Sequence, residues 1–480
     1  MTVLHETVEV ARPVEEVFAY ISDFTTTEEW DATATSARKL SPGAIAVGTQ
    51  FEVVCALPVG SVTLLYTMEK LQDNALIVLN GRCAFFEVRD TITLSRTATG
   101  TRIDYRAEFQ FKPLVSSVAA RSSKGLQSMG RESVAGLAQA LEDKFQLKEP
   151  SRFTRAADRL VFPGVMMFSR MGYTRGRKHF NPMSASVKNK HMLITGASSG
   201  LGYAAALELA RRGAALTLVM RDRRKAENTV AEIQRETGNP EIHVEIADLS
   251  LMSDVDALVA RLLKGGRPID VLINNAGALF NPRAETSEGL EQSFALLLLS
   301  PYRLTEGLKP LLVKSPSPRV INVVSGGMYS QKLDVAALQM PDNADYSGSV
   351  AYARQKRALM VMTQEWAKEW ADEGIVVNAM HPGWADTPGV RESLPQFRRL
   401  TRSVLRSAEE GADTIVWLAV ATEAGDASGE LFLDREIRPP HLVKSTREPV
   451  GERERLLELL RGFRTPDEMA SSAVSQSTGR

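Results

Sequence analysis

Tyr352 and Lys356 stand four residues apart in Ala351-Tyr-Ala-Arg-Gln-Lys356. The segment around them reads as a helix through Trp370, so both side chains project from one helical face. A phenol with an ordinary pKa of about 10 is a poor base near neutrality, but an adjacent ammonium favours the phenolate. The pair is therefore a candidate for exchanging a proton with a substrate oxygen. A second chemically suggestive stretch, Gly196-Ala-Ser-Ser-Gly200-Leu-Gly202, follows the apolar run His191–Thr195 and opens a helical stretch over 203–212. Glycines let the backbone bend tightly there and approach a pyrophosphate, whose charge then rests on the helix N-terminus. The turn 195–202 is accordingly expected to bind a nicotinamide dinucleotide.

The elements that must position these groups follow from about Lys190 to Leu442, where short apolar runs alternate with helical stretches. That alternation predicts a parallel sheet with crossover helices, an α/β doubly wound Rossmann unit. Three further segments come in the order a nucleotide-binding half-sheet requires. The strand Ala215–Met220 ends in Arg221, with Arg223 and Arg224 close by. A guanidinium pairs well with a 2′-phosphate, so NADP(H) is expected in preference to NAD(H), Asp222 being the rival signal. Asp248-Leu249 follows a strand, and Asn275-Ala276-Gly277 closes another.

The chain has 480 residues, too many for one core, and at least two domains are expected. Formal net charge is +0 with 44% hydrophobic residues, which offers nothing to nucleic acid or another polyanion. Cys55 and Cys83, both in apolar strand-like runs, are read as buried thiols, not as a disulfide or zinc framework. Six scattered histidines lack ligand spacing, so no metal site is expected. The opening MTVLHETVEV has neither a basic n-region nor an apolar h-region, and a cytoplasmic location is the default.

Residues 1–146 show a different pattern. Ile103, Tyr105, Ala107, Phe109 and Phe111 alternate with Arg102, Asp104, Arg106, Glu108 and Gln110, which predicts a half-buried antiparallel strand. A Gly-containing connection, 97–101, joins it to a strand over 90–95. Leu126, Met129, Val134, Leu137, Leu141 and Phe145 then approximate the stripe of an amphipathic helix. At the other end, Pro13 starts a helix whose Val14, Val17, Phe18 and Ile21 share a face. This order, with the run ARPVEEVFAYISDFTTTEEW, resembles the START-like polyketide cyclase/dehydrase and lipid-transport superfamily. The resemblance implies an α+β helix-grip domain, in which a curved sheet holds the last helix around a site for a hydrophobic ligand. Phe85, Phe86, Tyr105, Phe109 and Trp30 either line that cavity or fill a core. A cyclase or dehydratase activity of this domain would need buried acids, for which Asp31, Glu69 and Asp104 are candidates.

Between the two domains, 147–189 forms a basic linker. From Ser151 to Lys190 it carries six Arg and three Lys against one acid, Asp158, around the apolar stretch 160–168. That composition leaves two readings, a linker packed on the second domain and a peripheral membrane contact through 151–190. Past Leu442, residues 443–480 hold one amphipathic helix over about 453–460 and then a small-residue tail expected to be disordered.

The stretches TGASSGLG, ADL and INNAG resemble the short-chain dehydrogenase/reductases over some 250 residues. Within them VVSGGMYSQKLD, YARQK and MHPGWADTPGV are most similar to the dehydrogenase/reductase family member 12 group, near the retinol-dehydrogenase-like enzymes. The resemblance implies a catalytic set of Ser325, Tyr352 and Lys356. Ser325 would orient the substrate oxygen, Tyr352 would exchange its proton, and Lys356 would also hold the nicotinamide ribose. It further implies cofactor contacts at Thr195, Gly196, Ser198, Ser199, Gly200, Leu201, Gly202, Arg221, Asp248, Leu249, Asn275, Ala276, Gly277, Pro382, Gly383 and Thr387. Related reductases often pair, so a homo-oligomer is an expectation of the same kind. One position departs from the pattern: Leu297 stands where the family places an Asn that holds a proton-relay water, and Leu neither donates nor accepts a hydrogen bond. Two functions are therefore carried forward. One is an NADP(H)-dependent oxidoreductase interconverting a lipophilic alcohol and carbonyl, with the START-like domain binding or presenting the ligand. The other is an NADP(H)-sensing lipid-binding protein with little turnover.

Overall fold

The computed structural model describes residues 2–31, 33–56, 61–112, 123–144, 167–177, 180, 183, 187–340, 346–393, 398–399 and 401–463, with the backbone alone for 123–129, 142–144 and 392–393. The chain divides into two compact units, one of residues 1–146 with 181–186 and the other of 147–180 with 187–480.

In the first unit, seven antiparallel strands are ordered β1-β7-β6-β5-β4-β3-β2. They are β1 (Thr2–Val10), β2 (Ala34–Lys39), β3 (Gln50–Ala56), β4 (Ser61–Gln72), β5 (Leu76–Arg82), β6 (Phe86–Arg96) and β7 (Thr101–Phe111). Because side chains alternate across a strand, β6 buries Val88, Asp90, Ile92 and Leu94, and β7 buries Ile103 and Ala107 on the same face. Helices α1 (Val14–Ser22) and α2 (Thr27–Trp30) cross between β1 and β2. The long α3 (Ser123–Lys144) presents Val134, Leu137 and Leu141 to the core. Gly130 sits over the Leu4 side chain of β1, and Gly136 over the Trp30 carbonyl, which brings helix and sheet into close contact. This is the expected helix-grip arrangement. Leu126, Met129 and Phe145 of the predicted stripe lie outside the residues whose side chains are described. Phe85 is 50% exposed, so it belongs to neither cavity nor core.

The second unit is built on an eight-stranded sheet of order β10-β9-β8-β11-β12-β13-β14-β15. Its parallel part comprises β8 (His191–Thr195), β9 (Ala215–Met220), β10 (Ile242–Ile246), β11 (Val271–Asn274), β12 (Arg319–Val323), β13 (Val376–Met380) and β14 (Leu431–Leu433). An antiparallel hairpin adds β15 (Glu436–Arg438). The strands β8, β9, β11 and β12 are buried on both faces, as near-continuous apolar runs require. Among the crossover helices are α5 (Gly200–Arg211), α8 (Ser300–Leu312), α9 (Gly348–Glu369) and α10 (Ala408–Val420), numbered with α4 (Arg170–Arg177), α6 (Arg223–Thr237) and α7 (Met252–Gly265) in chain order. The predicted C-terminal helix is α11 (Glu452–Arg461). The tail from Thr465 lies outside the described residues.

Only the end of the basic linker is described, and it packs on the second unit. Phe168 stacks on Tyr329 at 5.9 Å and meets His381 edge-on at 4.6 Å. The Arg406 guanidinium, 1% exposed, donates to the carbonyls of Met167, Phe168 and Ser169 and forks onto Asp434 at 2.6 and 2.9 Å. Residues 160–166 of the apolar stretch lie outside the described residues. Removing one member of a buried ion pair strands the other charge, at a cost of about 3–5 kcal/mol. Asp434→Asn is thus expected to lower the stability of the second unit by that amount in urea denaturation; a change below about 1 kcal/mol would show that Arg406 reaches solvent when its partner is lost.

Candidate functional site

The C-terminal ends of β8, β9, β11, β12 and β13 open into one cavity of about 550 Å³. This is the end of a doubly wound sheet at which ligands bind. Helix α5 begins at Gly200, and Ser199 at its N-cap makes no side-chain cap bond, so the amides of the first turn are left for an anion. Gly196 has φ of +70°, and a Cβ there would approach Ala276 Cα to 2.8 Å, so both backbone handedness and the neighbouring strand end demand glycine.

The structure gathers the predicted residues closely. Gly196, Ser198, Ser199, Gly200, Leu201, Gly202, Arg221, Asp248, Leu249, Asn275, Ala276, Gly277, Ser325, Tyr352, Lys356, Pro382, Gly383 and Thr387 all line the cavity. Thr195 is outside this lining. It is buried and acts on the wall instead, its hydroxyl accepting from the amides of Asn275 and Ala276 at 3.0 Å each. Asn275 returns the contact by donating to the carbonyls of Thr195 and Gly196. Of the rival pair at the end of β9, Arg221 faces the cavity, while the Asp222 carboxylate caps α6 by accepting from the Lys225 amide at 2.9 Å. Residues that the sequence reading missed, among them Ala278, Leu279, Phe280, Leu296, Trp384 and Val390, also line the cavity. They sit in loops and at helix ends, whose placement no local pattern encodes.

At the far end, Ser325 caps a short 3₁₀ turn, Gly326–Ser330, by accepting from the Gly327 amide. Tyr352 and Lys356 lie on α9, with Lys356 Nζ 5.8 Å from the Tyr352 ring centroid. Burial pushes the Tyr352 phenol up to about 12, opposed by a hydrogen bond with Ser325. Burial also pulls Lys356 down to about 7. Desolvation thus works against the phenolate that the neighbouring ammonium and the positive oxidised nicotinamide are expected to favour, because it acts on both groups and penalises both charges. Tyr352 keeps its proton at neutral pH in this arrangement. Lys356 Nζ donates to the Val323 carbonyl at 2.7 Å. Leu297 lies in a π-helical turn, Ala295–Leu299, and is fully buried. A Cβ placed on Gly277 would be 3.2 Å from Leu297 Cδ2 and 3.8 Å from Lys356 Nζ, so Leu297 and Lys356 both border the space over Gly277.

The first unit has titratable groups of its own. Glu69 and Asp104 are spent in partly exposed contacts with Arg89 and His5. Asp31 is half-buried and accepts from the Thr33 amide and hydroxyl and the Ser133 hydroxyl. Cys55 and Cys83 are free and half-buried, less enclosed than expected. A deeply buried acid is Asp90, 1% exposed and on no earlier list because a single charged residue in an alternating strand is ordinarily read as facing solvent. Burial pushes its pKa up to about 7, while Tyr105 and Tyr66 oppose the rise. The folded state therefore keeps a proton that the unfolded chain, with an ordinary Asp, releases. Stability from this group is full below about pH 4 and lost as pH rises through about 7. The titratable groups acting with it are Tyr66, Tyr105, Cys55 and Asp31. Asp90→Asn has no such proton. Its melting midpoint relative to the wild type should climb between about pH 5 and pH 7 and level off above about pH 8; a difference that stays constant over this range would mean that Asp90 is ionised throughout.

Comparison with known proteins agrees with this division. The short chain dehydrogenase family matches residues 190–397, and the polyketide cyclase / dehydrase and lipid transport family matches residues 1–142. Dehydrogenase/reductase SDR family member 12 of Bos taurus is 42% identical over 301 residues, spanning 62% of this chain and 94% of that protein. The Homo sapiens protein of the same name is 41% identical over the same shares. Retinol dehydrogenase 13 of Homo sapiens is 32% identical over 259 residues, 52% of this chain and 78% of its own length. The chain thus belongs to the short-chain dehydrogenase/reductases, oxidoreductases acting on a CH–OH group with a nicotinamide dinucleotide, and carries a polyketide cyclase/dehydrase-type domain ahead of that unit.

Proposed function

We propose that the protein is an NADP(H)-dependent oxidoreductase that interconverts a lipophilic alcohol and carbonyl, with the N-terminal domain binding or presenting a hydrophobic ligand. The observation that carries the reading is the convergence of Ser325, Tyr352 and Lys356 with the Gly196 turn in one cavity. Arg221 faces that cavity while Asp222 is engaged as a helix cap, which favours a 2′-phosphate over a free ribose hydroxyl. The uncapped first turn of α5 would hold the pyrophosphate, Asn275–Gly277 the adenosine-side wall, and Pro382, Gly383 and Thr387 the nicotinamide end. Lys356 would bind the ribose. The dinucleotide supplies or receives the hydride.

The protein's own groups handle the oxygen. Ser325 donates to and orients the substrate oxygen, and Tyr352, protonated at neutral pH, gives it the proton that a carbonyl needs on reduction. Similarity to proteins named retinol dehydrogenase supports a long apolar substrate, and the apolar loop residues Leu279, Phe280, Leu296 and Trp384 provide a surface for one. Fusion to a ligand-binding domain would raise the effective concentration of a shared ligand. With retinaldehyde and NADPH, Tyr352→Phe is expected to lower kcat/KM by about 10²–10⁴-fold while the Kd for NADPH changes less than about threefold. Turnover that survives this substitution intact would refute the assignment.

Leu297, which borders Gly277 as Lys356 does and offers no hydrogen-bonding group, favours a second reading, an NADP(H)-sensing lipid-binding protein with little turnover. Here Leu297→Asn decides. A gain of about tenfold or more in kcat would mark a crippled proton relay, whereas a fast wild-type enzyme unimproved by the change would remove the sensing role.

A further inference from the structure

The first unit contains a buried polar cluster that chemistry in the second does not use. Asp90 lies mid-strand on β6 between Val88 and Ile92 and is 1% exposed. Its Oδ2 has no hydrogen-bond partner among the described residues. Two tyrosines reach the carboxyl from opposite sides. On β7, Ala107 opposes Asp90 and Tyr105 opposes Ile92, so Tyr105 is a diagonal neighbour. On β5, Leu79 opposes Asp90, and Gly81, two residues on, opposes Tyr66 of β4. A Cβ at Gly81 would stand 2.6 Å from Tyr66 Cε1, so the Tyr66 ring occupies the space a side chain would take. That is how a residue two strands away interacts with Asp90. Both phenols lie close enough to feel the carboxyl, and burial above all, with the Asp90 charge behind it, holds them protonated.

A cluster serving only the fold would leave no carboxyl oxygen orphaned, since such a group is costly and an apolar residue of similar size usually serves as well. Around it the face is apolar and aromatic. The Phe24 ring is 4.8 Å from that of Tyr66, and Trp30 meets Tyr105 edge-on at 6.4 Å. Phe86, Phe109 and Phe111, of the same parity on β6 and β7, are only half-buried, so the described residues do not fully close this face over. Apolar walls with a few convergent polar groups are the usual make-up of a small-molecule site. A neutral carboxylic acid and two phenols offer donors to an oxygen in such surroundings, and the orphaned Oδ2 adds an acceptor for a hydroxyl.

We propose that Asp90, Tyr66 and Tyr105 form a binding site for the carbonyl or hydroxyl oxygen of an apolar ring compound held on the concave face of the N-terminal sheet. This rests on the reading of that domain as a hydrophobic-ligand binder, and it adds the chemical class of the ligand and the groups that recognise it. The oxygen function is the one a CH–OH oxidoreductase makes or consumes, so the same molecule suits both units.

The test uses the full chain and two fluorescent probes that differ by one hydroxyl, 2-naphthol and naphthalene. The wild type is expected to bind 2-naphthol about tenfold more tightly. Tyr66→Phe and Tyr105→Phe should each weaken naphthol binding about fivefold and leave naphthalene binding unchanged. Asp90→Leu, nearly isosteric and free of the buried acid, should stay folded by thermal melting and bind the two probes alike. Equal affinity of the wild type for both probes, or naphthol binding indifferent to the tyrosine changes, would overturn the oxygen site while leaving an apolar binding domain. Failure of both probes to bind would overturn it together with the ligand-binding reading. Neither result bears on Tyr352 and turnover, which the retinaldehyde assay reads separately.

Discussion

The cavity of the second unit depends on how two strand ends are fastened together. The Thr195 hydroxyl at the end of β8 accepts from the amides of Asn275 and Ala276 just past β11, and the Asn275 side chain donates back to the carbonyls of Thr195 and Gly196. These groups would otherwise be unpaired backbone at the mouth of a buried sheet, so each strand end satisfies the other. The left-handed turn at Gly196 can then lead straight into α5 with its amides facing the cavity. The wall of the candidate cofactor cavity, the position of Arg221 at the end of β9 and the reach of α9 toward Ser325 all build on this frame.

Desolvation is the second theme, and it acts in both units. It holds Tyr352 protonated and draws Lys356 toward neutrality. It does the same to Asp90, which keeps its proton near neutral pH among aromatic neighbours. Where the protein buries charge outright, at Arg406 and Asp434, it adds three backbone carbonyls that accept from the guanidinium. The contrast separates a charge pair that fixes the chain segment 167–169 from lone groups whose protonation state is left adjustable.

The sequence by itself determined most of the elements and many of the residues that line the candidate dinucleotide cavity. Glycine positions, strand-then-turn order and the four-residue spacing of Tyr352 and Lys356 are local properties, and local geometry follows from them. The alternation over 102–111 likewise specified β7 and its buried face. What only the tertiary structure decided are contacts between residues distant in the chain. Asp222 turned out to cap a helix, so Arg221 is left facing the cavity. Thr195 proved a brace behind the wall. Leu297 and Lys356 came to border the same glycine, Gly277, and desolvation acts first on both members of the candidate pair Tyr352 and Lys356. Asp90 was invisible as a buried acid, because its environment is assembled by register across four strands and by the missing side chain of Gly81. Periodicity reports which face a residue is on; only packing determines which face is desolvated and which distant groups meet there.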